Sequence, residues 1–110
     1  MEAKGADLLV TDQRCRKAWA VQVKTNASTA KWWLLSDHSR HLRSAVHVYV
    51  FVSVPKTKNV QPRFYVVPSR VVAKTGRRFE RSTGSIWYGY QRQDKYENNW
   101  KLFGRSGNPL

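Results

Sequence analysis

Alternating apolar and polar positions govern the N-terminal part of the chain and predict a sheet. The strongest instance is "AVHVYVFVSVP", where Val46, Val48, Val50, Val52 and Val54 fall on one side and His47, Tyr49, Phe51 and Ser53 on the other, since successive strand side chains point to opposite faces. Both sides are largely apolar in its middle, so this strand is expected at the sheet centre, covered on both faces. Pro55 ends it, "KTKNVQP" reads as a turn, and "RFYVVP" pairs back as a hairpin. Upstream, Leu8 to Val10 and "AWAVQVKT" read as two short strands joined by the polar "TDQRCRK". In the second, Trp19, Val21 and Val23 form a bulky packing face, and Ala18, Ala20, Gln22 and Lys24 an open one. "KWWLLS" is a further strand, while "DHSRHLRSA" is a loop or a short helix.

Helical signals come later. Pro68 and Ser69 open "PSRVVAKTG", with Ser able to cap and Gly76 able to stop a helix. In "DKYENNWKLFG", Asp94 and Glu97 have the spacing of a capping box, and Tyr96, Trp100 and Phe103 share a helical face, which predicts a short docking helix ending at Gly104. The intervening "RRFERSTGSIWYGYQRQ" has no clear period. With no repeat and no linker, the chain reads as one domain over 1–104 with a tail at 105–110. Its class is α/β (α+β), a mixed sheet of about five strands with a few short helices.

Composition sharpens this picture. A chain of 110 residues with 41% hydrophobic positions and five tryptophans can bury roughly two-thirds of its unfolded surface without crosslinks. The single cysteine, Cys15, cannot close an internal disulfide and suits a reducing, cytoplasmic setting. No apolar stretch approaches the roughly 20 residues of a membrane span, and the N-terminus lacks the apolar core of a signal peptide. Lys and Arg outnumber Asp and Glu by 20 to 7, a net charge of +13. Such a charge favours polyanionic partners, nucleic acid first among them; a basic solvated surface is the plainer alternative.

Two stretches carry candidate chemistry. Asp7 heads the first strand, while Gln22 and Lys24 project to one side of the second. A carboxylate and a lysine so placed can hold a hard cation and orient water for phosphodiester hydrolysis. Equally, Asp7 reads as a turn aspartate and Gln22 and Lys24 as an exposed strand face. The second stretch interleaves Arg77, Arg78, Arg81 and Arg92 with Phe79, Trp87, Tyr88 and Tyr90. Arginines there can position phosphates and rings can stack on bases; the alternative is a charged loop with its aromatics in the core. His38 and His41 lack the partners of a zinc set.

The order "GADLLV…AWAVQVKT", a Val-rich strand, "FYVVPSRVVA" and "KYENNWKLF" resembles the PD-(D/E)XK (restriction-endonuclease-like) nuclease superfamily, and within it a group of small bacterial nuclease-like proteins. The resemblance runs from Gly5 to Phe103 and implies a nuclease-like core lacking the N-terminal helix. It also implies Asp7 as metal ligand, Gln22 in place of the second acidic ligand, Lys24 as catalytic lysine and Mg²⁺ as cofactor. The implied activity is DNA hydrolysis, with DNA ahead of RNA as partner. Gln22 is neutral where the family carries a carboxylate, and Glu2 is the nearest substitute. An uncovered sheet face where the helix is missing implies a homodimer. A noncatalytic nucleic-acid-binding or assembly module that has lost the acidic site is the alternative, and a module docking an acidic protein a third.

Overall fold

A computed structural model describes residues 7–36, 39, 41 and 44–104. Glu2, His38 and the tail at 105–110 lie outside the described residues. The chain folds as α+β, with a four-stranded mixed sheet, a three-stranded antiparallel sheet and one short α-helix among the described residues.

The first sheet has the order β1-β2-β4-β5, formed by β1 (Leu8–Thr11), β2 (Ala18–Ala27), β4 (His47–Val54) and β5 (Arg63–Pro68). A tight polar loop joins β1 to β2. Asp12 Oδ1 accepts from the backbone N–H groups of Arg16 (2.7 Å) and Lys17 (3.2 Å), and Cys15 takes a left-handed φ of 55°. β2 and β4 run parallel, with Gln22 beside Tyr49 and Lys24 beside Phe51. Parallel neighbours need a crossover, and here the chain makes it by way of β3 (Trp32–Ser36) in the other sheet. As the valine alternation predicts, β4 is central and buried on both faces.

The second sheet, β3-β7-β6, uses β6 (Arg77–Glu80) and β7 (Ile86–Gln91). Both lie in the segment to which periodicity assigned no element. They form a hairpin whose turn is closed by Arg81 N–H donating to the Ser85 carbonyl (2.9 Å) and Gly84 N–H to the Arg81 carbonyl (2.8 Å). Gly84 has φ of 89°, a conformation that costs glycine least because it lacks Cβ.

The two faces of β4 seed two cores. Between the sheets lies an aromatic one of Trp33, Tyr49, Phe51, Tyr65, Tyr88 and Tyr90 with Leu35, Val67 and Val72. Tyr49 and Phe51 are stacked within 7°, Phe51 and Tyr90 within 8°, and Trp33 Nε1 crosses to donate to the Val52 carbonyl at 3.2 Å. On the far side of the first sheet is an aliphatic core of Val21, Val48, Val50 and Val66 around Trp19, which Phe103 meets edge-on at 5.4 Å.

The helix α1 (Ser69–Thr75) is stopped at Gly76, whose N–H bonds the Val72 carbonyl. Ser69 does not cap it. Its buried hydroxyl donates to the Ser44 carbonyl (2.9 Å) and accepts the Ser44 N–H (3.1 Å), tying α1 to the chain before β4. The expected docking helix is instead two 3-10 turns, Asp94–Tyr96 and Trp100–Phe103. Asp94 makes no side-chain cap bond there. Glu97, the other half of the expected capping box, is drawn away by Arg63 in a bidentate pair at 2.8 and 2.9 Å. The segment between the turns closes the open side of β5: Asn98 N–H donates to the Phe64 carbonyl (2.8 Å) and Asn99 Nδ2 to that of Val66 (3.2 Å).

Candidate nucleic-acid interface

Strand parity sorts the arginine-aromatic run into two populations. Tyr88 and Tyr90 point inward and are buried in the aromatic core, so for these two the packing alternative holds. Trp32 and Leu34 from β3, Trp87 from β7 and Phe79 from β6 point outward. With Arg81 they line an open cavity of about 390 Å³. Its floor depends on Gly89, the register partner of both Leu34 and Arg77. The Phe79 ring lies over this glycine, where a Cβ would sit 2.5 Å from Phe79 Cε2 and 3.1 Å from Trp32 Cε3. Trp32 and Phe79 meet edge-on at 5.4 Å above it.

Guanidinium groups flank these rings. Arg81 lies 5.1 Å from the Trp87 ring centroid and Arg77 6.0 Å from that of Trp32, distances at which a cation is attracted by the ring face. Arg78 takes the opposite parity on β6, and Arg92 follows β7 with its N–H on the Lys31 carbonyl. Of the four expected phosphate-holding arginines, Arg77 and Arg81 therefore share the aromatic face. The signal for Trp32 and Leu34 was the alternation of "KWWLLS", whose inner positions are Trp33 and Leu35.

A second cavity, of about 380 Å³, opens beside the aliphatic core. Lys17, Arg70 and Lys101 line it together with Trp19, Tyr96 and Asn99. Lys17 Nζ stands 5.2 Å over the Trp19 ring. Among the described residues neither cavity has a carboxylate in its lining, and the acidic–basic ion pair is Arg63–Glu97.

The opening hairpin brings Asp7 to β2. Asp7 N–H donates to the Val21 carbonyl, and Asp7 Oδ2 accepts the Val23 N–H, both at 2.8 Å. The carboxylate thus reaches the backbone between Gln22 and Lys24, which are half-buried on the same side of β2. As a magnesium site this donor set is short. One Asp7 oxygen already serves as a backbone acceptor and Gln22 offers a neutral amide. Among the described residues no group of three His, Cys, Asp or Glu side chains could hold a metal. Mg²⁺ takes a near-octahedral oxygen shell that one or two carboxylates anchor and that waters and substrate phosphates complete; to it Asp7 and Gln22 would bring one carboxylate and one amide oxygen. His41 is exposed, whereas His47 is buried edge-on against Tyr49 at 5.0 Å.

No family model, curated protein or solved structure matches the chain. Among the described residues no helix is long and apolar enough to cross a membrane.

Proposed function

We propose that this protein binds nucleic acid, holding the phosphate backbone with arginines and lysines that edge its two described cavities. One observation carries this reading: on a chain of net charge +13, Arg81 stands in the lining of the first cavity and Lys17, Arg70 and Lys101 in that of the second, with no acidic residue in either lining. A polyanion gains from such a surface through counterion release, whereas a merely solvated basic surface needs no cavities edged by cations. The resemblance of the opening hairpin to PD-(D/E)XK nucleases agrees with a nucleic-acid partner. The Asp7–Gln22–Lys24 arrangement favours the noncatalytic form of that ancestry, because Gln22 is neutral where the family carries its second carboxylate.

DNA is the first partner to test, in a reducing, cytoplasmic setting that suits the exposed thiol of Cys15. A homodimer would form along β1, an edge strand of its sheet on which Leu8 is 55% and Leu9 69% exposed; the mass in solution tests it. The decisive measurement is anisotropy of labelled DNA and RNA against salt. Binding should be firm at low salt and fall steeply as salt rises; failure to bind any nucleic acid at low salt would sink the proposal. Plasmid incubated with Mg²⁺ or Mn²⁺ should remain intact. Cutting that is lost in Asp7→Ala and Lys24→Ala would reinstate the hydrolytic reading.

A further inference from the structure

We infer that the outward face of the β3-β7-β6 sheet is a base-stacking platform, so that the nucleic acid taken there is single-stranded. This rests on the nucleic-acid reading above and goes further by naming the ligand's state. Trp32, Phe79 and Trp87 stand on three adjacent strands, and all point away from the aromatic core. Outward rings on a sheet are costly to leave wet: Phe79 is 39% and neighbouring Leu34 45% exposed. Apolar surface of this kind marks a contact site when it is contiguous and edged by polar groups. Here the edge is supplied by Arg77 and Arg81, which flank the rings.

The occupant follows from the combination. An open apolar cavity walled by rings can take the face of a nucleobase, and the flanking guanidiniums can donate to the phosphates on either side of it. A duplex buries its base faces in its own stack and would offer this surface a charged backbone alone. An apolar protein segment would use the rings but not the arginines. Gly89 keeps the cavity deep. Any side chain at this position would push the Phe79 ring off its place against Trp32 and fill the space between Leu34 and Trp87.

Three labelled ligands test this at one salt concentration: oligo-dT and oligo-rU of about 12 nucleotides, within the span one small fold covers, and a DNA duplex of equal length. The wild-type protein should bind a single strand about tenfold or more tighter than the duplex, with quenching of its tryptophan fluorescence. Whether dT or rU binds better identifies the strand as DNA or RNA, and either preference supports the inference. Phe79→Leu keeps apolar bulk but removes the ring. It should weaken single-strand binding about fivefold or more while leaving duplex binding and the thermal midpoint nearly unchanged. Trp87→Ala should act in the same direction, and Gly89→Ala should weaken single-strand binding by obstruction. Equal affinity for duplex and single strand, unmoved by Phe79→Leu, overturns the platform while the general nucleic-acid reading survives. No binding to any of the three at low salt overturns both.

Discussion

Tyr65 sits in an environment that does not meet what its chemistry asks for. Its ring is fully buried against Trp33 and Arg63 lies 5.8 Å above it, but its hydroxyl has no hydrogen-bond partner among the described residues. A buried, unsatisfied hydroxyl costs about 1–3 kcal/mol, and phenylalanine would keep the ring contacts without that cost. Tyr65→Phe should therefore be neutral or stabilising by up to about 2 kcal/mol in urea unfolding; a loss of more than about 1 kcal/mol would reveal a partner for the hydroxyl. At this scale the sequence was legible wherever one physical demand acted on a residue. Val48 and Val50 are apolar, sit on a strand and are buried. It was less legible at Asp7, where two demands compete: the residue type suits a cation, but the carboxylate accepts the Val23 N–H from β2, 16 residues along the chain. A side chain's partner is a matter of the backbone that arrives beside it, and local spacing does not give that.

The same lesson holds for whole elements, where Glu97 is the instructive case. Its spacing from Asp94 satisfies the capping-box pattern, yet a stronger partner arrived from β5. The Arg63 guanidinium binds both carboxylate oxygens and, chiefly through these hydrogen bonds, holds Glu97 below the usual carboxylate range. With the docking helix replaced by 3-10 turns, the 97–99 segment is free to run along β5 and cover its edge. A carboxylate with depressed folded pKa contributes stability that is present above its unfolded value, about 4.3, and lost as pH falls through the folded one. Glu97→Gln should thus lower stability at neutral pH by a modest amount, about 0.2–1 kcal/mol for a pair this exposed. The gap from wild type should close below about pH 4, as measured by thermal melts across pH. A gap that persisted in acid would assign the loss to packing instead. Strands β6 and β7 were hidden for a different reason. On β7 Trp87 takes the outward parity, with Phe79 beside it on β6, while Ile86 shares the parity of Tyr88 and Tyr90, so apolar residues occupy both parities and the alternation that exposes a half-buried strand is erased. What obscured these strands in the sequence is what makes their outer face a candidate for binding.

Across the whole molecule, stability and charge are managed in separate places. The cations lie on the outer surfaces, whereas the space between the sheets is filled by stacked rings, among them Tyr49 and Tyr90. Burial pushes both phenols above the ordinary tyrosine value. Tyr96 adds to the effect at Tyr90 and the hydrogen bond from Gln93 opposes it, while at Tyr49 the Ser39 hydroxyl opposes it. A raised folded pKa favours the neutral phenol in the native state, so the stability it contributes is complete below the unfolded value, about 10, and is lost as pH rises toward the folded one. The fold should therefore come apart in alkali rather than titrate its core in place. Phenolate absorbance from the buried tyrosines should appear in one cooperative step, coincident with loss of near-UV circular dichroism, at a pH above about 10. Tyr90→Phe removes one of the groups that gains a proton-release route on unfolding, and it should move that midpoint to higher pH. Buried tyrosines that ionised gradually near their ordinary value, with the near-UV signal intact, would mean that water reaches the space between the sheets. The stacked arrangement of Tyr49, Phe51 and Tyr90 would then be wrong, and with it the rigid floor on which the outer rings stand.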